Sequence, residues 1–238
     1  MPGAVLRTTR WPARSCLTAL LLGAVTLTAE AEPPTGAKVK ATAETAAARE
    51  GGPRRWIVTS PEGSAMRAGL EASSEKIMTL AKGTIVSNLG CTSSDGVAWC
   101  AVQPLRARVS GYVPAASLVT APGPDGSVPY GLDDSAARAR VRDFDATGVI
   151  RCAQERGQPL GDCRFGVARG TGGDATVRVA FPNGFSRMLF FAHNIFLRAA
   201  PTMSGVGVDT DWVLEGDVHR LRVEDQRYEI PQATILGG

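Results

Sequence analysis

Histidine is scarce in this 238-residue sequence, which has only two, and aromatic residues make up 6 % of the chain. Histidine is the side chain that ordinarily titrates near neutral pH and is a common metal ligand, so two histidines provide few candidates for proton transfer or metal binding. An excess of one charge sign is missing as well, since 26 Lys and Arg face 23 Asp and Glu. The net charge of +3 is too small to predict a nucleic-acid partner.

The sequence also lacks the common catalytic and cofactor motifs. It has no Gly-x-Ser-x-Gly motif and no glycine-rich phosphate loop that follows a strand and opens a helix. Of the two histidines, His219 shares a two-residue register with Leu221 and Val223 and is predicted to point into a core. His193 lies in a predicted turn, and we expect it to face solvent. We therefore predict no catalytic residue and no cofactor.

One apolar stretch near the N-terminus resembles a targeting segment. Residues 16–28 (CLTALLLGAVTLT) follow an arginine-containing segment at 1–14 and precede a small-residue Ala-Glu-Ala pattern. These features are typical of a Sec-type signal peptide, which we predict at 1–31 with cleavage after Ala31. An uncleaved membrane anchor is the alternative, but spanning a bilayer takes about 20 apolar residues. A periplasmic or secreted protein without a transmembrane segment is expected.

Four of the five cysteines remain after this cleavage, and they are Cys91, Cys100, Cys152 and Cys163. An even number in an exported chain favours disulfides. Three connectivities are possible, and we predict Cys91–Cys100 and Cys152–Cys163 because each pair closes a short local loop. A zinc site would prefer closely spaced ligands such as Cys-x-x-Cys, and neither pair has that spacing, so no metal site is predicted.

Two stretches rich in proline, glycine and small residues divide the remaining chain. Residues 32–54 contain little that could be buried and are predicted to be a flexible linker. Residues 121–140 begin with APGPDGSVPYGLDD and are predicted to be a second linker. Two globular pieces result, at 55–120 and 141–238.

Short predicted strands fill the first piece, with a polar TSSDG turn at 92–96. Its motifs are Met66-Arg67-Ala68-Gly69, Lys82-Gly83-Thr84-Ile85-Val86, Trp99, Gly111-Tyr112-Val113 and Ser117-Leu118. With these motifs, residues 56–120 resemble the bacterial SH3-like (SH3b) domain, although the proline usual after the first motif is missing and a cysteine pair is added. The resemblance implies a small β-barrel that binds cell-wall peptide or another envelope ligand.

Three side chains of this piece are candidate ligand-binding residues, namely Arg67, Trp99 and Tyr112. Aromatic rings with a polar tip suit binding sites, but both rings would also fit a barrel core. Residues 54–121 hold seven basic and four acidic side chains. This mild excess fits an anionic wall polymer, although a solvated surface is the simpler interpretation.

The second piece is predicted to be another antiparallel sheet, in the form of a sandwich or roll. Residues 175–182 and 218–223 alternate apolar and polar side chains, as half-buried strands do. Asn183-Gly184 predicts a hairpin turn, and the apolar run 186–192 is expected to be buried on both faces. The fold class is therefore mostly β, a small SH3-like β-barrel followed by a second β domain.

The second piece carries motifs of its own, which are Asp145-Ala146-Thr147-Gly148, Cys152-Ala153, Gly157-Gln158-Pro159-Leu160-Gly161-Asp162-Cys163, Phe165-Gly166-Val167-Ala168-Arg169, Glu215-Gly216-Asp217 and Arg227-Tyr228-Glu229-Ile230-Pro231. With them, residues 144–238 resemble an uncharacterised domain of small exported proteins from Gram-negative bacteria, chiefly alphaproteobacteria. This resemblance implies a lineage and a compartment but no activity.

Together these features predict a non-catalytic envelope binding or adaptor protein. Its SH3-like domain would recognise peptidoglycan peptide or a protein partner. One alternative is a hydrolase whose site in the second piece gathers Arg187, His193 and an acid. Another is an inhibitor or chaperone of an envelope enzyme that uses an exposed loop at 154–160.

Overall fold

A computed structural model describes residues 45–202 and 209–238. The predicted signal peptide at 1–31 and the first part of the predicted linker at 32–54 lie outside the described residues. The described chain forms two antiparallel β-sheets with very little helix, which confirms the predicted mostly-β fold class.

The first sheet has seven strands in the spatial order β3-β2-β6-β5-β4-β1-β7. The strands are β1 (Arg55–Val58), β2 (Ser64–Arg67), β3 (Lys76–Leu80), β4 (Ile85–Ser94), β5 (Val97–Pro104), β6 (Gly111–Pro114) and β7 (Leu118–Thr120). Short 3₁₀ turns occupy Ala48–Glu50 and Ala115–Ser117. All seven strands contribute to one buried cluster that contains no residue of the second sheet, so the first sheet wraps around a core of its own.

The second sheet has eight strands in the order β12-β11-β10-β9-β8-β15-β14-β13. The strands are β8 (Ala146–Ala153), β9 (Gly161–Arg169), β10 (Ala175–Ala180), β11 (Ser186–Ala192), β12 (Ile195–Ala199), β13 (Thr210–Glu215), β14 (Val218–Val223) and β15 (Gln226–Pro231). Two short helices, α1 (Ser135–Arg140) and α2 (Gln232–Leu236), pack against it. The edge strands β12 and β13 contact each other, so the sheet is curled nearly into a barrel, with a seam between these two strands.

The strands β10 and β11 form the predicted hairpin around Asn183-Gly184, with Val179 opposite Arg187. Arg187 therefore points into the barrel interior with Leu189. The expectation that residues 186–192 are buried on both faces is wrong, because their outward side chains are only half-buried. Arg198 lies over the outward Phe190 ring at 4.0 Å from its centre.

Both predicted disulfides are present. Cys91 and Cys100 face each other on the paired strands β4 and β5, with their Cα atoms 3.9 Å apart. The disulfide between Cys152 and Cys163 joins β8 to β9, and the Cα atoms of these two cysteines are 5.9 Å apart. Each bond closes a local hairpin, as the short sequence separations of 9 and 11 residues suggested.

Each disulfide is expected to stabilise the fold by about 2.5 kcal/mol, because it removes loop-closure entropy from the unfolded chain. The variant Cys152→Ala/Cys163→Ala should therefore lose about that amount in guanidinium unfolding under non-reducing conditions. Adding reductant to this variant should then remove the contribution of the Cys91–Cys100 bond. An unfolding curve that does not respond to reductant would contradict the prediction.

The described parts of the two predicted linkers are hydrogen-bonded to each other. The backbone N–H of Arg54 donates to Pro129 O at 2.8 Å, and the N–H of Gly131 donates to Gly52 O at 2.9 Å. The Asn88 side chain, on β4, donates to Pro53 O. These bonds bring residues 52–54 and 129–131 together beside β4, where the two sheets meet.

None of the helices in residues 45–202 and 209–238 has the length and hydrophobicity needed to cross a lipid bilayer.

Candidate functional site

Strand pairing brings the three predicted binding residues to one face of the first sheet. Arg67 on β2 lies opposite Tyr112 on β6, and Tyr112 lies opposite Ala101 on β5. Directly paired residues project to the same side of a sheet, and so do residues two apart on one strand. Trp99, two residues before Ala101, therefore shares this face with Arg67 and Tyr112. We call these three residues the outer-face cluster, because the residues that alternate with them form the core.

The members of the outer-face cluster differ in exposure. Arg67 and Tyr112 are half-buried, whereas Trp99 is only 4 % exposed. Trp99 nevertheless lies outside the core cluster of the first sheet, so its indole is buried on the outer face. The Arg67 guanidinium donates to Ser74 O at 2.8 Å, which fixes its position.

Gly111 allows β6 to approach β2 closely at this surface. A Cβ atom at position 111 would lie 2.6 Å from Arg67 O and 2.8 Å from Met66 Cγ. Both distances are too short for a real contact, so only glycine fits. The Gly-Tyr-Val motif thus holds Tyr112 opposite Arg67 on the paired strands. A ring next to a guanidinium can hold the apolar part and the carboxylate of one peptide.

A buried carboxylate joins the two sheets. Asp174, in the turn before β10, is 1 % exposed. It accepts hydrogen bonds from Arg54 Nη1 at 2.9 Å and from Arg55 Nη2 at 2.5 Å. The backbone N–H of His193 also donates to it, at 3.1 Å. Sequence reasoning did not identify this cluster, because the two arginines lie 120 and 119 residues away along the chain.

His193 was expected to face solvent, but the structure shows it half-buried. Its backbone N–H bond to Asp174 holds the residue against the buried ion pairs, and its Nδ1 atom is buried without a hydrogen-bond partner among the described residues. Burial lowers the pKa of its imidazole, and the positive charge of Arg55 lowers it further. Both effects favour the neutral form of this ring, which lies next to a buried charge cluster.

His219 points into the core of the second sheet, as its register predicted, and is fully buried. Its Nδ1 accepts a hydrogen bond from Trp212 Nε1 at 3.0 Å, and its Nε2 lies 3.0 Å from Asn194 Oδ1. Since Nδ1 accepts, the proton is on Nε2 and is donated to Asn194. Burial lowers the pKa of this imidazole to about 4, so the ring is neutral and ties β13 to the β11–β12 turn.

Arg187 forms a separate polar cluster within the same sheet. Its guanidinium donates to Gln226 Oε1 at 3.0 Å, to Ala200 O at 3.0 Å and to Glu224 Oε2 at 2.8 Å. Tyr228 donates to the same Gln226 oxygen, and burial raises the pKa of its phenol. Arg187 and His193 share none of these partners, so the contacts do not assemble the site that the hydrolase alternative requires.

The loop at 154–160, which the inhibitor alternative would use, is mostly exposed. The side-chain oxygen of Gln158 stabilises this loop by accepting hydrogen bonds from the backbone N–H groups of Gln154 and Glu155. Within the described ranges, no three His, Cys, Asp or Glu side chains come together in a way that could hold a metal ion.

Comparisons with models of protein families, with curated proteins and with solved structures found no match for this chain. The resemblances of the two pieces are thus carried by the sequence motifs alone.

Proposed function

We propose that this protein is an exported, non-catalytic binding or adaptor protein of the bacterial cell envelope. In this proposal the first sheet is an SH3-like barrel that binds cell-wall peptide. The single observation that supports it best is the outer-face cluster, in which strand pairing groups Arg67, Trp99 and Tyr112 on one side of the sheet.

The chemistry of this cluster fits a peptide that carries free carboxylates. Arg67 supplies a fixed guanidinium, whose unused N–H groups can pair a carboxylate through two parallel bonds. Tyr112, opposite Arg67 on the neighbouring strand, offers apolar surface with a polar tip, whereas Trp99 on the same face is almost fully buried. Stem peptides of the cell wall combine carboxylates with small apolar side chains, and so they match both features.

An envelope location is supported by the signal-peptide pattern at 1–31 and by the two disulfides. Disulfides persist in oxidising compartments such as the periplasm. Both features support a mature protein that lies in the periplasm or outside the cell.

Co-sedimentation with purified peptidoglycan, at low and at moderate salt, tests this function. The protein should be retained, and Arg67→Ala or Tyr112→Ala should each weaken retention about tenfold, as for a central interface residue. Arg164→Ala removes an equal charge from an exposed position on β9 and should change nothing.

Two outcomes would contradict the proposal. Absence of retention at both salt concentrations would exclude peptidoglycan and leave a protein partner as the remaining choice. Retention that none of the variants changes would exclude the outer-face cluster. Unfolding curves for each variant show whether the fold is intact, and Tyr112→Phe tests the hydroxyl group without removing the ring.

A further inference from the structure

A second surface, separate from the outer-face cluster, lies where the two sheets meet. A cleft of about 730 Å³ runs between the loop that follows β5 and the seam beside β12. The arginines Arg106 and Arg108 line it from the loop, and Arg198 lines it from β12. No acidic residue is among its described lining residues, so the cleft is positively charged.

These three guanidinium groups have free N–H edges. In the described part of the chain, none of them is in an ion pair or a hydrogen bond, whereas Arg138, Arg151, Arg220 and Arg222 all pair with carboxylates. Arg106 lies over the Trp212 ring at 5.5 Å from its centre, and Arg198 lies over Phe190. A ring covers one flat face of a guanidinium and leaves its edge available to an anion.

The backbone conformation of the loop after β5 gives further support for a role of Arg106. Ala107 N–H donates to Pro104 O at 3.1 Å, which closes a turn, and Arg106 at its third position has φ +67°. Glycine is the usual residue at that position of such a turn, because a side chain there is strained. An arginine in a conformation that favours glycine supports a role for its side chain at the cleft.

We propose that this cleft binds a short acidic peptide. Its three arginines are on two different elements, so they suit several carboxylates spaced along a chain rather than one compact anion. Between them, Leu105, Leu197 and Pro201 provide apolar contacts for the peptide's uncharged groups. The volume is in the range of pockets that hold a small ligand. The proposal does not depend on peptidoglycan binding at the outer-face cluster.

Isothermal titration of the mature protein with two capped tetrapeptides, Ala-Glu-Glu-Ala and Ala-Gln-Gln-Ala, tests the proposal. The glutamate peptide should bind at least about tenfold more tightly than the glutamine peptide, and its affinity should fall as salt rises. Inorganic phosphate at millimolar concentration should not displace it.

Variants then locate the site. Arg106→Gly removes the side chain while giving the turn its preferred residue, and it should weaken binding of the glutamate peptide about fivefold or more. Arg198→Ala should have a similar effect, whereas the exposed control Arg164→Ala should have none. Equal binding of the two peptides, no binding of either, displacement by phosphate, or unchanged affinity in Arg106→Gly and Arg198→Ala would each overturn the proposal.

Discussion

Asp174→Asn is expected to lower the free energy of unfolding by about 3–5 kcal/mol. The substitution keeps the shape of the side chain but removes the negative charge that Arg54 and Arg55 share. Their side chains are only 11 % and 7 % exposed, so the two guanidinium groups would be poorly hydrated without this partner. Asp133, at 4.0 Å from Arg54 Nη1, offsets only part of the loss, because among the described residues it forms no ion pair with Arg55. Denaturant unfolding followed by tryptophan fluorescence measures the loss.

An exposed ion pair provides the matched control for this prediction. Arg151 and Asp162 lie 2.9 Å apart, but their side chains are 55 % and 69 % exposed. Asp162→Asn should therefore change the free energy of unfolding by less than about 1 kcal/mol. A loss in Asp174→Asn no larger than that in Asp162→Asn would show that the carboxylate does not hold the two sheets together.

The strands could be predicted because their signals are local. The Asn183-Gly184 turn and the alternation in β10 and β14 depend only on neighbouring residues, and the structure shows the expected hairpin and faces. The disulfides could also be predicted from local signals, since each joins residues of a single hairpin. A period of two also placed His219 in the core correctly.

Arg187 shows a local signal that sequence reasoning overlooked. Residues 186–192 look like a continuous apolar run, which suggested burial on both faces. However, Arg187 is two residues before Leu189 and lies across the Asn-Gly turn from Val179. This register alone places it inside the barrel, where a buried arginine needs several acceptors.

The contacts between the sheets could not be predicted in this way. The Asp174 cluster and the arginine-lined cleft combine side chains more than 80 residues apart, and no short-range pattern encodes such pairs. The grouping of Arg67, Trp99 and Tyr112 was anticipated only through the SH3-like motifs. The sequence did not show whether Trp99 is buried or where its ring packs, since an aromatic ring at that position suits either a groove or a core.

The stability of the protein is expected to fall between pH 7 and pH 4 because of His219. In the folded protein the pKa of this imidazole is about 4, compared with an ordinary value of 6.5. The unfolded chain therefore binds a proton in this range while the folded chain does not, and stability decreases as pH falls. The difference between the two pKa values corresponds to a loss of about 3 kcal/mol, which is complete only below the folded pKa.

The variant His219→Gln isolates this contribution. A glutamine amide can accept from Trp212 Nε1 and donate to Asn194 Oδ1, but it does not titrate. None of the groups that contact the His219 ring, which are Trp212, Asn194 and Phe191, has a titratable side chain. Carboxylates whose pKa is lowered in the fold lose their contribution as pH falls through that lowered value, and they are common to both proteins. The difference between the two curves of unfolding free energy against pH should thus follow His219 alone, and parallel curves from pH 7 to pH 4 would contradict the assignment of a buried, neutral imidazole.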